Sequence, residues 1–240
     1  MAKKDEIEYI SNLSSMGGKS VEDVIWYHKN KPWSDEGRAR YLVDIAQILQ
    51  LLPPPPAKLL DVGMGSGWTS KIFAECGYTV LGMDIAPDMV AMARDVCAGV
   101  ENVEFAVADF ENFSFGEFDC AVIYDSLHHA DSPEKTIKSV YLNLKKEGVL
   151  ITAEPGRGHK IASRKISRLY GTTENDMTPR FQKKMMVSAG FRSVITYSRL
   201  RMLPFFNSSS DALRRLHAWL YSLPLFGLMF GSSRIVVAKK

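Results

Sequence analysis

The stretch Leu59-Leu60-Asp61-Val62-Gly63-Met64-Gly65-Ser66-Gly67 sets three glycines at alternate positions behind an apolar run. Glycines at that spacing let a backbone turn tightly and approach a ligand, and a helix opening behind them offers free N–H groups and a partial positive charge. A dinucleotide loop reads GxGxxG, its third glycine admitting close packing over a pyrophosphate. Here Gly67 comes one residue early and Trp68 stands where that glycine belongs, which favours a ligand without a diphosphate. Two acids close later apolar runs. Asp84 can accept hydrogen bonds from both hydroxyls of a ribose, or cap the helix that opens at Pro87. Asp109 can receive the amino group of an adenine while Phe110 packs against the base; the alternative is a plain turn. His128 and His129 are of the residue type suited to removing a proton from a hydroxyl, or else pack the helix that follows. Adjacent side chains diverge, so only one of the two can face a given site. Glu154 is a second candidate base.

Placing these groups together requires strands that end beside one another, and the apolar pattern supplies them. Short strands are expected at 58–63, 78–84, 103–107, 118–125 and 148–154. Between them run helical stripes: Trp68, Ile72 and Cys76; Met89, Met92, Ala93, Val96 and Cys97; and Ile137, Val140, Tyr141 and Leu144. The alternation is that of an α/β protein with a doubly wound, mostly parallel sheet and helices on both faces. Each candidate residue then lies at or just past the carboxyl end of a strand, the edge at which open α/β sheets hold ligands. A helix at 179–188 and strands at 191–197 and 233–240 are expected next, with a long helical insertion near 200–231. That insertion is rich in Leu and Phe and holds Trp219, side chains that pack into a core, cover an apolar substrate or rest on a membrane surface. At the other end, Tyr41, Leu42, Ile45, Ile48, Leu49 and Leu52 form one helical stripe before four prolines at 53–56. Residues 1–56 thus read as an N-terminal helical cap with a stiff linker, and 57–240 as the main domain. Trp26, Tyr27 and Trp33 suit covering the cofactor or docking the cap onto the sheet, docking being the favoured reading.

The chain has 240 residues, 46% of them hydrophobic and 24% charged, enough for a sizeable core and unlike a disordered or coiled-coil composition. Its longest apolar run, at 218–230, contains Pro224 and falls short of the roughly 20 residues a membrane span needs. No signal peptide is visible, and three scattered cysteines suit neither a disulfide framework nor a zinc site, so a cytoplasmic location is expected. The net charge of +3 hides an asymmetry. Residues 155–240 hold 16 basic and 3 acidic side chains, against 14 and 24 in residues 1–154. The basic end suits an anionic ligand or a peripheral membrane contact.

With these motifs in place, the chain resembles a class I S-adenosylmethionine-dependent methyltransferase, closely over 58–155 and more loosely over the last strands. The resemblance implies a seven-stranded Rossmann-like sheet whose last strand runs antiparallel. It implies S-adenosylmethionine as cofactor, S-adenosylhomocysteine as product and no metal. It places Asp61, Gly63, Gly65 and Gly67 around the methionine part of the cofactor, Asp84 on the ribose and Ile85 beside the adenine. Asp109 and Phe110 fall at the adenine edge, and Tyr124 near the transferred methyl. After the fourth strand the chain reads Tyr124-Asp125-Ser126-Leu127, not the Asn/Asp-Pro-Pro-aromatic signature of amino-group methylators, and no Pro-Cys pair follows as in cytosine methylators. This points to the small-molecule branch, with a metabolite, sugar or lipid-like acceptor. The competing readings are a nucleic-acid methyltransferase, a cofactor-binding relative without catalysis, and a nicotinamide oxidoreductase, the last disfavoured by the loop spacing.

Overall fold

A computed structural model describes residues 20–164, 173–199 and 234–240, together with residues 7, 8, 10, 210, 212, 215 and 216. The long insertion expected near 200–231 otherwise lies outside the described residues. Strand β1 (Lys58–Val62) is buried from its second residue onward. A nearly unbroken apolar run is what a parallel strand covered on both faces requires. Its neighbours follow in chain order: α3 (Trp68–Glu75), β2 (Thr79–Asp84), α4 (Pro87–Val96), β3 (Val103–Val107), β4 (Phe118–Tyr124), α5 (Pro133–Asn143) and β5 (Leu144–Glu154). A four-residue helix α6 (His159–Ala162), then α7 (Pro179–Ala189), β6 (Ser193–Ser198) and β7 (Arg234–Lys239) complete the unit, which α1 (Val21–Lys29) and α2 (Arg38–Leu51) precede.

The seven strands lie in the order β3-β2-β1-β4-β5-β7-β6. Pairing is parallel from β3 through β5, while β7 runs antiparallel to both β5 and β6. From β1 the chain builds outward to β2 and β3, then returns to β4 on the other flank. The reversal between β1 and β4 is the topological switch point, where the connections diverge and leave a crevice.

Alternating side chains divide the core into two layers. Leu60, Val62, Ala121, Ile123 and Leu150 pack with Ile137 and Val140 of α5 and Met185 and Met186 of α7. Leu59, Cys120, Val122, Tyr124 and Ile151 pack on the other face with Phe73 of α3 and Ile45 and Ile48 of α2. The sequence stripe on α2 therefore belongs to the main core: this helix is one of the sheet's own covering helices. Only α1 stands apart, and it packs through Val24 against Ala86, Met89 and Met92 around α4. Trp26 and Trp33 are 62% and 65% exposed, so most of each side chain faces solvent rather than the sheet. Docking falls instead to Tyr41 of α2, whose ring lies 5.7 Å from that of Trp68 and 6.4 Å from that of Tyr124.

A buried ion pair fixes α2 to the sheet. Arg199, just past β6, donates from Nε and Nη2 to the two carboxylate oxygens of Asp44 at 2.7 and 2.6 Å. The Tyr124 hydroxyl donates to the same carboxylate at 2.9 Å. Burial works against the charge on Arg199, but Asp44 beside it holds the guanidinium above the usual arginine range. Removing one partner of such a pair strands the other charge in a poor dielectric, whereas removing both does not. Asp44→Ala is expected to cost about 3–5 kcal/mol in urea unfolding, and Asp44→Leu with Arg199→Leu to cost much less. Equal losses in the two proteins would show that the pair does not hold α2.

Candidate active site

The glycine loop fills the gap between β1 and α3. Gly63 and Met64 donate their amides to the Met83 carbonyl at 2.9 and 3.1 Å, drawing the loop over β2. Gly63 has φ +71°, and a Cβ there would fall 2.6 Å from both Cβ and Oγ of Ser126. No side chain fits. A Cβ on Gly65 would meet nothing, so the loop's tip borders open space. The Gly65 amide donates to Asp84 Oδ2 at 2.9 Å, and the Ala86 amide to Asp84 Oδ1 at 3.0 Å. Asp84 thus braces the loop and the start of α4 together. Gly67 ends the loop directly before α3, and the Ser66 hydroxyl donates to the His28 carbonyl at 2.7 Å, tying the loop to the end of α1.

Asp61 lies behind this loop. It is buried and accepts from the hydroxyls of Thr69 and Ser70, both at 2.7 Å. Those residues sit in the first turn of α3, so the carboxylate anchors the helix to β1 rather than lining open space. Burial pushes its pKa up to about 6, against the lowering effect of the two hydroxyls.

On the near side, one acid per strand marks the sheet edge: Asp84 at the end of β2, Asp109 just beyond β3, Asp125 directly after β4 and Glu154 at the end of β5. Asp109 accepts from the Glu111 amide at 2.9 Å. The half-buried Phe110 reaches within 3.9 Å of the position a Gly63 Cβ would take, and Ile85 is half-buried beside Asp84. Asp125 holds φ +53°, uncommon for a residue with a side chain and a form of strain found at functional edges. Tyr124 points away from this edge, toward Asp44, and its ring meets Trp68 edge-on at 5.9 Å. Burial and then the Asp44 charge hold its hydroxyl well above the usual tyrosine range. Two of the three cysteines are equally inert, burial pushing Cys97 to about 11 and Cys120 to about 12.

The histidines lie across the switch point in a 3-10 turn, Leu127–His129. Glu154, fully buried, accepts at Oε1 from the amides of Ser126 and Leu127 at 3.1 and 2.9 Å. Its Oε2 lies 2.7 Å from His128 Nδ1 and 3.4 Å from the His128 amide. His128 is buried, with its Nε2 facing Glu174 at 3.8 Å. The ring of His129 lies 4.0 Å from that of His128 at a tilt of 41°, its Nδ1 3.0 Å from the Thr173 carbonyl and 3.8 Å from Glu174, so the two side chains do not diverge as expected but both reach Glu174. His159 approaches from α6, its Nε2 lying 2.7 Å from Glu174 Oε2. Desolvation would raise the Glu174 pKa, but the hydrogen bond to His159 and the three neighbouring histidines hold it below the usual range.

Of the residues picked from sequence, the fold brings Gly63, Gly65, Asp84, Ile85, Asp109 and Phe110 to one side of the switch point and His128 and His129 to the other. Asp61 lies beneath the loop, and Tyr124 faces α2. Sequence reasoning passed over His159 and Glu174 because nothing in their spacing ties them to 128. One signal was available: Glu174 is among the 3 acidic residues in an otherwise basic stretch of 86.

Comparison with known proteins bears on the domain and the fold. A family model for methyltransferase domains matches residues 60–152. The ubiquinone biosynthesis O-methyltransferase of Xanthomonas axonopodis pv. citri is 30% identical over 138 residues, covering 53% of this chain and 57% of that protein. A putative methyltransferase of Bacillus subtilis is 32% identical over 104 residues, or 41% of this chain and 42% of the relative. The chain spans about half the length of the curated relatives it matches. Among solved structures, phosphoethanolamine N-methyltransferase 2 of Haemonchus contortus in complex with S-adenosyl-L-methionine superposes with a TM-score of 0.67 at 16% identity, covering 97% of this chain and 60% of that one. Residues 60–152 thus match a methyltransferase domain, and the chain shares the fold of solved S-adenosylmethionine-dependent methyltransferases.

The position of Asp61 has a measurable consequence. A carboxyl whose folded pKa is raised stabilises the fold fully below its unfolded value, and that contribution is lost as pH rises through the folded value. For Asp61 the window runs from 3.8 to about 6. Asp61→Asn retains an oxygen for Thr69 and Ser70 but does not titrate. Urea unfolding is expected to show the wild type losing stability relative to this variant, by up to about 3 kcal/mol, between pH 4 and pH 7. A constant difference across that range would contradict the burial of an ionisable group.

Proposed function

We propose that the chain transfers the methyl group of S-adenosylmethionine to a hydroxyl oxygen of a small organic acceptor. The observation that carries this reading is the continuous edge formed at the switch point. The glycine loop and Asp84 lie on one side, His128 held by Glu154 on the other, and Ser126 joins them, donating to the Val62 carbonyl at 3.0 Å.

The side chains present suit that cofactor. Gly63 and Gly65 would admit its methionine part over the loop, Asp84 would take the ribose hydroxyls, and Ile85, Asp109 and Phe110 would flank the adenine. The sheet edge presents carboxylates at Asp84, Asp109, Asp125 and Glu154, a setting favourable to a cationic nucleoside and unfavourable to an anionic dinucleotide. When bound, S-adenosylmethionine supplies a methyl group that is already activated. The chain's own task is to align the acceptor, exclude water and receive a proton.

His128 is the group placed to receive it. With Nδ1–H donating to Glu154, the lone pair lies on Nε2, the nitrogen directed away from that carboxylate. His128 Nε2 would receive the acceptor's proton as the methyl leaves the cofactor's sulfur for the acceptor oxygen, and Glu154 would stabilise the imidazolium across the ring. The O-methyltransferase named among the relatives supports a hydroxyl acceptor. The basic balance of residues 155–240 supports one that carries negative charge, reached free in solution or at an anionic membrane surface.

Production of S-adenosylhomocysteine across a panel of phenols, sugars and lipid-like alcohols, followed by mass spectrometry, tests the reading. His128→Ala is expected to lower turnover about 10²-fold or more, the scale of a general base, with S-adenosylhomocysteine affinity unchanged. Undiminished turnover in both His128→Ala and His129→Ala would contradict the assignment.

A further inference from the structure

We propose that His128, His129 and Glu174 form a site for one divalent cation of the zinc class. Each offers a ligand atom, and these atoms lie within 4.8 Å of one another. His128 and Glu174 are buried, and the His129 side chain is 29% exposed. Two imidazoles and a carboxylate make a donor set for zinc, cobalt or nickel, whereas magnesium and calcium call for oxygen ligands throughout.

The surroundings distinguish this cluster from a chance meeting of polar groups. Protein ligands to such cations are themselves held by outer hydrogen bonds, a histidine giving its second ring nitrogen to a carboxylate and a ligating carboxylate taking a donor of its own. Both arrangements are present. Glu154 takes His128 Nδ1 at 2.7 Å and so directs Nε2 at Glu174, while His159 Nε2 lies 2.7 Å from Glu174 Oε2. Asp125, His128 and Glu154 form a second group at ligand spacing. There, however, the oxygens of Glu154 are already engaged by the 3-10 turn, which makes that residue an outer support. Bonds of about 2.0–2.1 Å in tetrahedral geometry set ligands about 3.3 Å apart. The cluster thus needs to close by about 1.5 Å at most, and His129, whose Nδ1 lies 3.0 Å from the Thr173 carbonyl, exchanges that contact for the cation.

The site has a consequence for the reaction, and this part rests on His128 being the proton acceptor: Nε2 cannot hold a cation and receive a proton together. Zinc would therefore suppress transfer while leaving the cofactor side of the crevice intact.

Chelator-treated full-length protein is titrated with Co²⁺ by visible absorption and with Zn²⁺ by calorimetry. One ion per chain is expected, with at least tenfold weaker binding in His129→Ala and in Glu174→Gln. Circular dichroism and S-adenosylhomocysteine binding report whether each variant folds, and His129→Ala, at the most exposed ligand, serves if Glu174→Gln does not. Failure of the wild type to take up either ion at micromolar concentration overturns the site, as does uptake undiminished in folded variants. Uptake that the variants abolish, combined with turnover indifferent to Zn²⁺, upholds the site and overturns His128 as the base.

Discussion

The arrangement depends on a carboxylate removed from water. Glu154 ends the strand that flanks β4 and is fully buried. A charge in that position is tolerable only if donors surround it. The donors are backbone amides of the turn after β4 together with the His128 ring, so the requirement to satisfy one carboxylate dictates the path of residues 126–128. The path has a second effect. It sets Ser126 against Gly63, where a Cβ on the glycine would sit only 2.6 Å away. The ligand loop and the histidine turn come from different strands, yet neither can shift without the other. Proximity of donor and acceptor groups is thus built into the packing before any ligand arrives.

A second buried charge does comparable work on the opposite face. Asp44 receives Arg199 and Tyr124, joining α2, the end of β4 and the chain beyond β6. Tyr124 and Asp125 are neighbours that face different ways, one into this network and one onto the sheet edge under a positive φ. Held at Tyr124, the backbone has little freedom to relax at Asp125. The end of β4 is therefore rigid from both sides, as a surface that aligns two reactants must be.

Much of the fold was legible because parallel strands and their covering helices impose periods of two and 3.6 on the apolar residues. The strand end at Asp84, the helix start at Pro87 and the antiparallel last strand all follow from local pattern or from the family resemblance. The glycine loop was legible for the same reason, being one contiguous stretch. What could not be read was anything made by convergence. The partners of His128 lie 26 and 46 residues away, at Glu154 and Glu174, and no spacing rule connects them. The family resemblance puts Tyr124 near the transferred methyl, but the side chain follows its strand's alternation to the α2 face. The docking role expected of the cap's tryptophans falls instead to Val24 and Tyr41, because no local pattern shows which aromatic ring of a helix meets the sheet.

The central claim is that one sheet edge accepts an adenosyl sulfonium beside the histidine turn. Amide resonances of isotopically labelled protein titrated with S-adenosylhomocysteine test it most directly. Saturable shifts are expected at Gly63, Gly65, Asp84 and Phe110, with smaller ones at Ser126 and His128. Resonances that stay unmoved, or that move only on the outer face of α7, would contradict it.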